Sequence, residues 1–372
     1  MGNRRGTRRR GGAGSKRRSP LWAKIMVGVG AMLMVVSIGA VGYANIMLDK
    51  VNDAVNTACL LEDCEAFKPG EEIKGPLNLL MIGSDMRKDW SAAQSDSIMI
   101  LHINAALTAA NIISIPRDLY VDIPDCGPGW GNNACTEKIN TAFAAGGLDK
   151  AKSVQNLATT LTNLTGLEKF DGVAMINFGG FKDLVELFGG IELCVPFDMD
   201  LEHPKDEFGN KPHVKKGCKE YEPDLALGIV RERYAYDPTN PDWKEEYGIG
   251  DYGRQRMQQH FIKQLMKRAK EEGYMTDPFK VTTLIEAIGD QLLLDLKGRA
   301  VTDFAYALRG MDASAITTLK VPSEPAMIGE TSYVVMQPGE QEETAQELFE
   351  ALSGDTLDQW ALSNPKWVNK TK

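Results

Sequence analysis

The sequence predicts an α/β fold: a central mixed β-sheet flanked by helices on both faces, an α-β-α sandwich, behind one N-terminal transmembrane helix. Three observations support this. From residue 77 onward, short β-rich apolar runs alternate with longer amphipathic segments, the pattern of a sheet covered on both sides. Residues 25–48 form a run of 24 without a charge. At ~1.5 Å per residue it spans about 36 Å, enough for a hydrocarbon core of about 30 Å. All six cysteines lie beyond that run, as expected on the oxidising side of a membrane.

The chain begins with a basic arm, residues 1–20, in which Arg4, Arg5, Arg8, Arg9, Arg10, Lys16, Arg17 and Arg18 sit among Gly and Ser. Such a composition buries no core. Residues 21–48 hold the transmembrane helix, with Trp22 and Tyr43 near its ends. Positive charge stays inside, so the arm is expected in the cytoplasm and the rest outside, in a single-pass protein of the cell membrane. A cleaved signal peptide is the rival, but the run is long for one and no clear small-x-small site ends it. Residues 49–76 read as a short helix and then an extracellular linker, punctuated by Lys68-Pro69-Gly70 and Gly75-Pro76. The folded domain is expected over 77–353, with a loosely attached tail over 354–372. Residues 1–24 contain nine Lys or Arg and no acid, leaving 33 bases against 51 acids, a formal charge of −18, over the remainder. A body this acidic speaks against nucleic acid as a partner. An anionic ligand must be held by a local basic pocket.

Closeness along the chain suggests the pairs Cys59–Cys64, Cys126–Cys135 and Cys194–Cys218, although sequence alone leaves other pairings open. The middle pair would pin the loop over 125–136. No Cys-x-x-Cys spacing favours zinc.

Three strand-length runs follow the linker, over 78–82, 96–101 and 112–115, each with charge at one end. Asp85 and Arg87 follow the first, Asp96 opens the second, and Arg117 with Asp118 closes the third. Neighbouring strands of one sheet would bring these ends together. Two carboxylates beside arginines suit a divalent cation, magnesium or in its place manganese, and a phosphorylated ligand. Carboxylates bind a hard ion, and guanidinium forks grip phosphate oxygens. Surface ion pairs capping the strands are the plainer alternative.

Beyond the 125–136 loop, residues 139–164 read as helix broken at Gly146-Gly147, 170–178 as strand, 181–188 as helix and 191–196 as strand. Residues 198–222 look like an exposed irregular excursion, with His203 and His213 in solvated loop. A helix is expected over 223–230, ending in Arg231-Glu232-Arg233. Asp251 can cap a helix running to about 272. On it Arg254, Gln258, Phe261 and Leu265 share one stripe, facing inward, while Arg256, His260, Lys263 and Lys267 share the opposite, solvated one. Helices over 278–295 and 301–311, strands over 317–322 and 332–336, and a helix over 342–353 complete the body.

Several ordered blocks combine into a pattern: Gly83-Ser84-Asp85-Met86-Arg87, Ser95-Asp96-Ser97, Ile115-Pro116-Arg117-Asp118-Leu119-Tyr120, Lys138-Ile139-Asn140, Phe178-Gly179-Gly180-Phe181, Val230-Arg231-Glu232-Arg233 and Asp251-Tyr252-Gly253-Arg254. Together they resemble the LytR-CpsA-Psr family of cell-wall assembly proteins, over roughly residues 76–270 strongly and to about 350 weakly. The resemblance implies a phosphotransferase. It would take a glycopolymer from a polyprenyl-pyrophosphate carrier and attach it, still bearing its phosphate, to a hydroxyl of peptidoglycan or of a cell-wall glycoprotein. It also implies that Arg117, Arg231, Arg233 and Asp118 are catalytic and that Arg231 and Arg233 both face a pocket, so the helix before them is expected to stop near Arg231 and leave an extended tail. Arg87, Arg254 and Gln258 would bind substrate, and Asp85 and Asp96 would hold Mg2+. Pyrophosphatase activity is a further expectation. The lipid needs an apolar tunnel, which helices near 150–164, 181–188 and 258–266 could line. Two positions depart from the family pattern: Gln94 and Met257 stand where arginine is usual. No Walker loop, Gly-x-Ser-x-Gly elbow or His-Glu-x-x-His motif offers different chemistry. A membrane-tethered protein that binds carrier lipid or wall polymer without turnover is the alternative, and it needs the arginines but not the metal carboxylates.

Overall fold

The computed structural model describes residues 59–64, 66–68, 70–86, 94–205, 209–235 and 250–369. The basic arm, the predicted transmembrane helix and Arg87 lie outside the described residues. Among those described, no helix is long and apolar enough to cross a membrane.

The three charged-end runs are adjacent antiparallel strands, β1 (Leu77–Ser84), β2 (Ser95–Ile103) and β3 (Ala110–Ile115). With elements numbered along the chain, the sheet adds β6 (Gly172–Asn177) parallel to β1 and β11 (Leu292–Asp295) antiparallel to β6. At the other edge β12 (Ile316–Lys320) runs parallel to β3. The order is β11-β6-β1-β2-β3-β12, a mixed sheet. β4 (Tyr120–Ile123) and β5 (Cys135–Lys138) form a hairpin beyond β3.

Alternation along the strands sorts side chains to two faces. Leu80, Ile82, Ile98, Ile100, Ile113 and Ile115 enter one core. It is closed by α1 (Asn140–Ala144), α2 (Lys150–Thr165), α8 (Glu340–Ser353) and α9 (Leu357–Ser363). Leu77, Met99, Ile103 and Ile112 face the other side. There lie α3 (Phe178–Leu187), α4 (Pro223–Arg231), α5 (Asp251–Glu271), α6 (Pro278–Ile288) and α7 (Val301–Ala307). The helix ends follow ordinary capping chemistry. Asp149 caps α2 through Lys152 N, and Asn177 caps α3 by accepting from Gly180 N at 2.9 Å. Gly180 is required by close approach, since a Cβ there would lie 2.9 Å from Gln291 O.

All three disulfides join the cysteines that are close along the chain, Cys59–Cys64, Cys126–Cys135 and Cys194–Cys218. Other expectations need correction. The end of the segment read as helix over 278–295 is the edge strand β11. Four residues are too few for periodicity to distinguish helix from strand. A strand β13 (Glu324–Ile328), unforeseen, pairs with β14 (Thr331–Val335). The excursion over 198–222 is part of the fold. β7 (Ile191–Val195) pairs with β10 (Gly217–Tyr221), β8 (Met199–Asp200) pairs with β9 (His213–Val214), and Met199, Leu201 and Val214 are buried. The described part of the 49–76 linker is packed too. Leu60 and Leu61 are buried, and their amides donate to Asp295 Oδ2 at 2.9 and 2.8 Å. The tail is firmly seated, with Leu357 and Trp360 in the first core.

Candidate active site

Antiparallel register brings the end of β1, the start of β2 and the end of β3 to one edge of the sheet. Ser84 stands opposite Ser95, and Ile98 opposite Ile115. The charges at those ends therefore converge. Arg117 Nη1 donates to Asp96 Oδ1 at 2.5 Å, and Arg254 Nη1 lies 3.8 Å from the same oxygen. Asp118 gathers three cations: Lys138 Nζ at 3.2 Å, Arg117 Nε at 3.8 Å and Arg233 Nη2 at 3.8 Å. Asp251 completes the network, 2.5 Å from Arg254 Nη2 and 3.8 Å from Arg233 Nε. Burial pulls the pKa of Arg254 below the usual arginine value, and the neighbouring Asp251 opposes that shift.

The helix α4 stops at Arg231, as the family resemblance implies, and Glu232 is extended at φ −63°, ψ 129°. Residues two apart in an extended chain share a side. Arg231 and Arg233 accordingly line one cavity, and the Arg231 guanidinium sits 4.2 Å above the Phe178 ring.

That cavity measures about 520 Å3. Asp96, Arg117, Arg231, Arg233, Arg254 and Gln258 belong to its polar part, with Glu202 and His203 among the others. Met81, Met99, Ile176, Phe181, Leu184, Phe261, Leu265, Leu284, Ile288 and Leu292 supply much of the apolar wall. The inward stripe of α5 is thus as expected. The tunnel is lined by α3 and α5 but not by α2, which packs on the opposite face of the sheet; α6 and β11 take its place.

The remaining expected site residues are placed differently. Asp118 does not line the cavity but stands behind Arg117 and Arg233. Asp85 is also outside the lining, and its Oδ1 accepts from Gln94 N at 3.0 Å. Asp251 is the first residue of α5 and an ion-pair partner, with no side-chain cap hydrogen bond. Met257, where the family pattern has arginine, is 2% exposed in an apolar cluster. His260 is buried, not solvated, because β7 covers the second side of α5. Lys138 and Asp251 had no predicted role in the site. Both stand in the blocks that carry the family resemblance, but their ion-pair partners depend on how distant elements meet.

The donors suit magnesium. Asp96 offers a carboxylate at the cavity wall, and beside it Ser97 Oγ is buried without a protein hydrogen-bond partner. Asp85 follows the strand paired with β2. No group of three or more His, Cys, Asp or Glu is gathered among the described residues. Magnesium typically uses one or two carboxylates and takes its other ligands from substrate and water.

Comparison with known proteins fits this geometry. A model of the LytR_cpsA_psr family matches residues 43–350. The probable cell wall biosynthesis protein LcpB of Corynebacterium glutamicum is 30% identical over 227 residues, 57% of this chain and 47% of that protein. The chain thus spans about half the length of LcpB. The polyisoprenyl-teichoic acid–peptidoglycan teichoic acid transferase TagU of Bacillus cereus is 29% identical over 71% of this chain and 77% of its own. Among solved structures, B. subtilis TagV superposes with a TM-score of 0.56 at 22% identity, covering 77% of this chain and 98% of that one. YwtF (TagT) with bound octaprenyl pyrophosphate lipid gives 0.52 at 18% identity, covering 78% and 92%. With matched residues spanning sheet, cavity and arginine cluster alike, the chain belongs to the LytR_cpsA_psr family.

Proposed function

We propose that this protein is a membrane-anchored phosphotransferase. It moves a glycopolymer with its phosphate from a polyprenyl-pyrophosphate carrier to a hydroxyl of peptidoglycan or of a cell-wall protein. One observation carries the reading: an apolar cavity of about 520 Å3 whose polar part includes Arg117, Arg231, Arg233 and Arg254. An isoprenoid tail suits the apolar wall, and a diphosphate suits guanidinium forks. The relatives' names point the same way, TagU as a teichoic acid transferase and TagT as a protein seen with octaprenyl pyrophosphate and with LI-WTA.

In the reaction, the acceptor hydroxyl oxygen bonds to the glycan-side phosphorus. The P–O bond to the lipid phosphate breaks, polyprenyl phosphate departs with the electron pair, and the hydroxyl proton is released. Arg117, Arg231 and Arg233 offset charge on the transferring phosphoryl group, where positioning and electrostatics supply most of the catalysis. Arg254 and Gln258 hold the donor, and Arg87 is assigned to the same task. Asp118 orients its three cations; a carboxylate so engaged is poorly suited to take a proton. Magnesium, or manganese, would be held by Asp85 and Asp96 and would supply further charge neutralisation on the diphosphate. Attack by water on the same phosphorus would give pyrophosphatase activity.

The test is release of polyprenyl phosphate and labelling of a peptidoglycan acceptor, with and without chelator. Arg117→Lys and Arg231→Lys are expected to cut transfer at least about tenfold, because lysine is a point charge without the fork. Their stability should stay within about 1 kcal/mol of wild type. Asp96→Asn should remove the magnesium dependence with most of the rate. An Asp85 and Asp96 double variant that still binds lipid but does not turn over separates the enzyme from a tethered lipid binder. Full activity in Arg117→Lys would overturn the reading.

A further inference from the structure

We infer that Glu232 is a positioning residue, whose buried carboxylate fixes the two cavity arginines beside it and one wall of the cavity for diphosphate recognition. The inference rests on the function proposed above. Glu232 is only 2% exposed. It begins the extended segment after α4, so its side chain points away from those of Arg231 and Arg233 and into the protein. An interior carboxylate is costly unless hydrogen bonds replace its water. Here they do. One oxygen accepts from Arg233 N at 2.9 Å and Tyr234 N at 2.6 Å, and the other accepts from Glu202 N at 2.7 Å.

The first two bonds hook the chain leaving α4 onto its own side chain and so set the direction in which Arg233 departs. The third ties that hook to a segment 30 residues earlier, where Glu202 and His203 line the same cavity. The two segments meet backbone to backbone, since a Cβ at Gly228 of α4 would lie 2.2 Å from His203 O. Through Glu232 and Gly228, the arginine pair and the facing wall form one rigid piece. Glutamine cannot reproduce this, because it has one acceptor oxygen and would turn its amide N–H groups toward the Glu202 donor.

The experiment uses the full chain in detergent with two probes, geranylgeranyl diphosphate and uncharged geranylgeraniol. Wild type is expected to prefer the diphosphate. Glu232→Gln should lose about tenfold or more in diphosphate affinity, the scale of a lost hydrogen bond to a charged group. Its affinity for the alcohol, which touches only the apolar wall, should stay within about twofold. Equal diphosphate affinity in variant and wild type would overturn the inference while leaving the proposed function standing. Parallel loss of both probes would also overturn it, marking a general packing defect. A wild type without preference for the diphosphate would reject the proposed function and the inference with it. If the variant does not fold, amide exchange in wild type decides. Slow exchange at Glu202, Arg233 and Tyr234 supports the hook, and exchange at free-chain rates rejects it.

Discussion

His260 has one comfortable protonation state. It is buried, and its Nε2 accepts a hydrogen bond from Cys194 N at 3.0 Å, which requires a neutral ring. Burial pushes its pKa down from 6.5 to about 4, and nearby Lys263 adds to the shift. The unfolded chain therefore binds this proton more readily than the folded one between those values. The contribution to stability is complete above pH 6.5 and is lost as pH falls toward 4. By pH 5 the loss is about 2 kcal/mol. His260→Gln can accept the same bond without titrating, so it should flatten the fall in melting temperature from pH 7 to 5 by several degrees; parallel slopes would count against this account. The helical period put His260 on the stripe opposite Arg254, and that much is correct. What the period cannot reveal is whether a second layer covers that stripe. The same limit hid Asp251, whose partners Arg233 and Arg254 depend on how α4 ends against α5. The shared side of Arg231 and Arg233, by contrast, followed from the family resemblance, which requires the helix before them to stop.

Among elements, the strands with charged ends were readable because each run is rich in β-formers and bounded by charge. β11 and α9 were not, being short for their kind, and β13 opens with Glu324 and Pro325, residues uncommon in strands. Yet the seat of α9 and the chain after it is extensive. Leu357 and Trp360 are buried, and Asn369 Nδ2 donates to Gln259 Oε1 at 2.6 Å. Gln259, fully buried on α5, in turn donates to Leu319 O at 2.7 Å and Ser114 Oγ at 2.8 Å. One amide thus joins α5, β3, β12 and the tail. Deleting residues 355–372 removes two large buried side chains and strands the Gln259 oxygen. At about 2–5 kcal/mol per large core side chain, the deletion should cost at least about 4 kcal/mol. Urea denaturation followed by tryptophan fluorescence measures this. A midpoint equal to that of the intact chain would show the tail to be dispensable.

At the scale of the whole molecule, the sheet separates two jobs. One face, under α2, α8 and α9, is solid core; the other, under α3 to α6, holds the cavity. Which face a helix chooses is not encoded in its own pattern, which is why α2 was expected in the tunnel. The relation of this body to a membrane is a separate proposal resting on residues 1–48: nine Lys or Arg within the first 24, then 24 uncharged residues. Protease added outside intact cells is expected to digest the body and spare the arm before Trp22. A mature N-terminus mapped beyond residue 44 would reject the anchor. The seat of Asn369 has a consequence in time. Its partner on the cavity helix precedes it by 110 residues. A polypeptide made from its N-terminus therefore holds every cavity arginine named above long before it holds the residue that donates to Gln259. Until Asn369 has been made, the Gln259 oxygen lacks that donor, so the seam between α5 and the two strands it meets is completed late in the chain's manufacture.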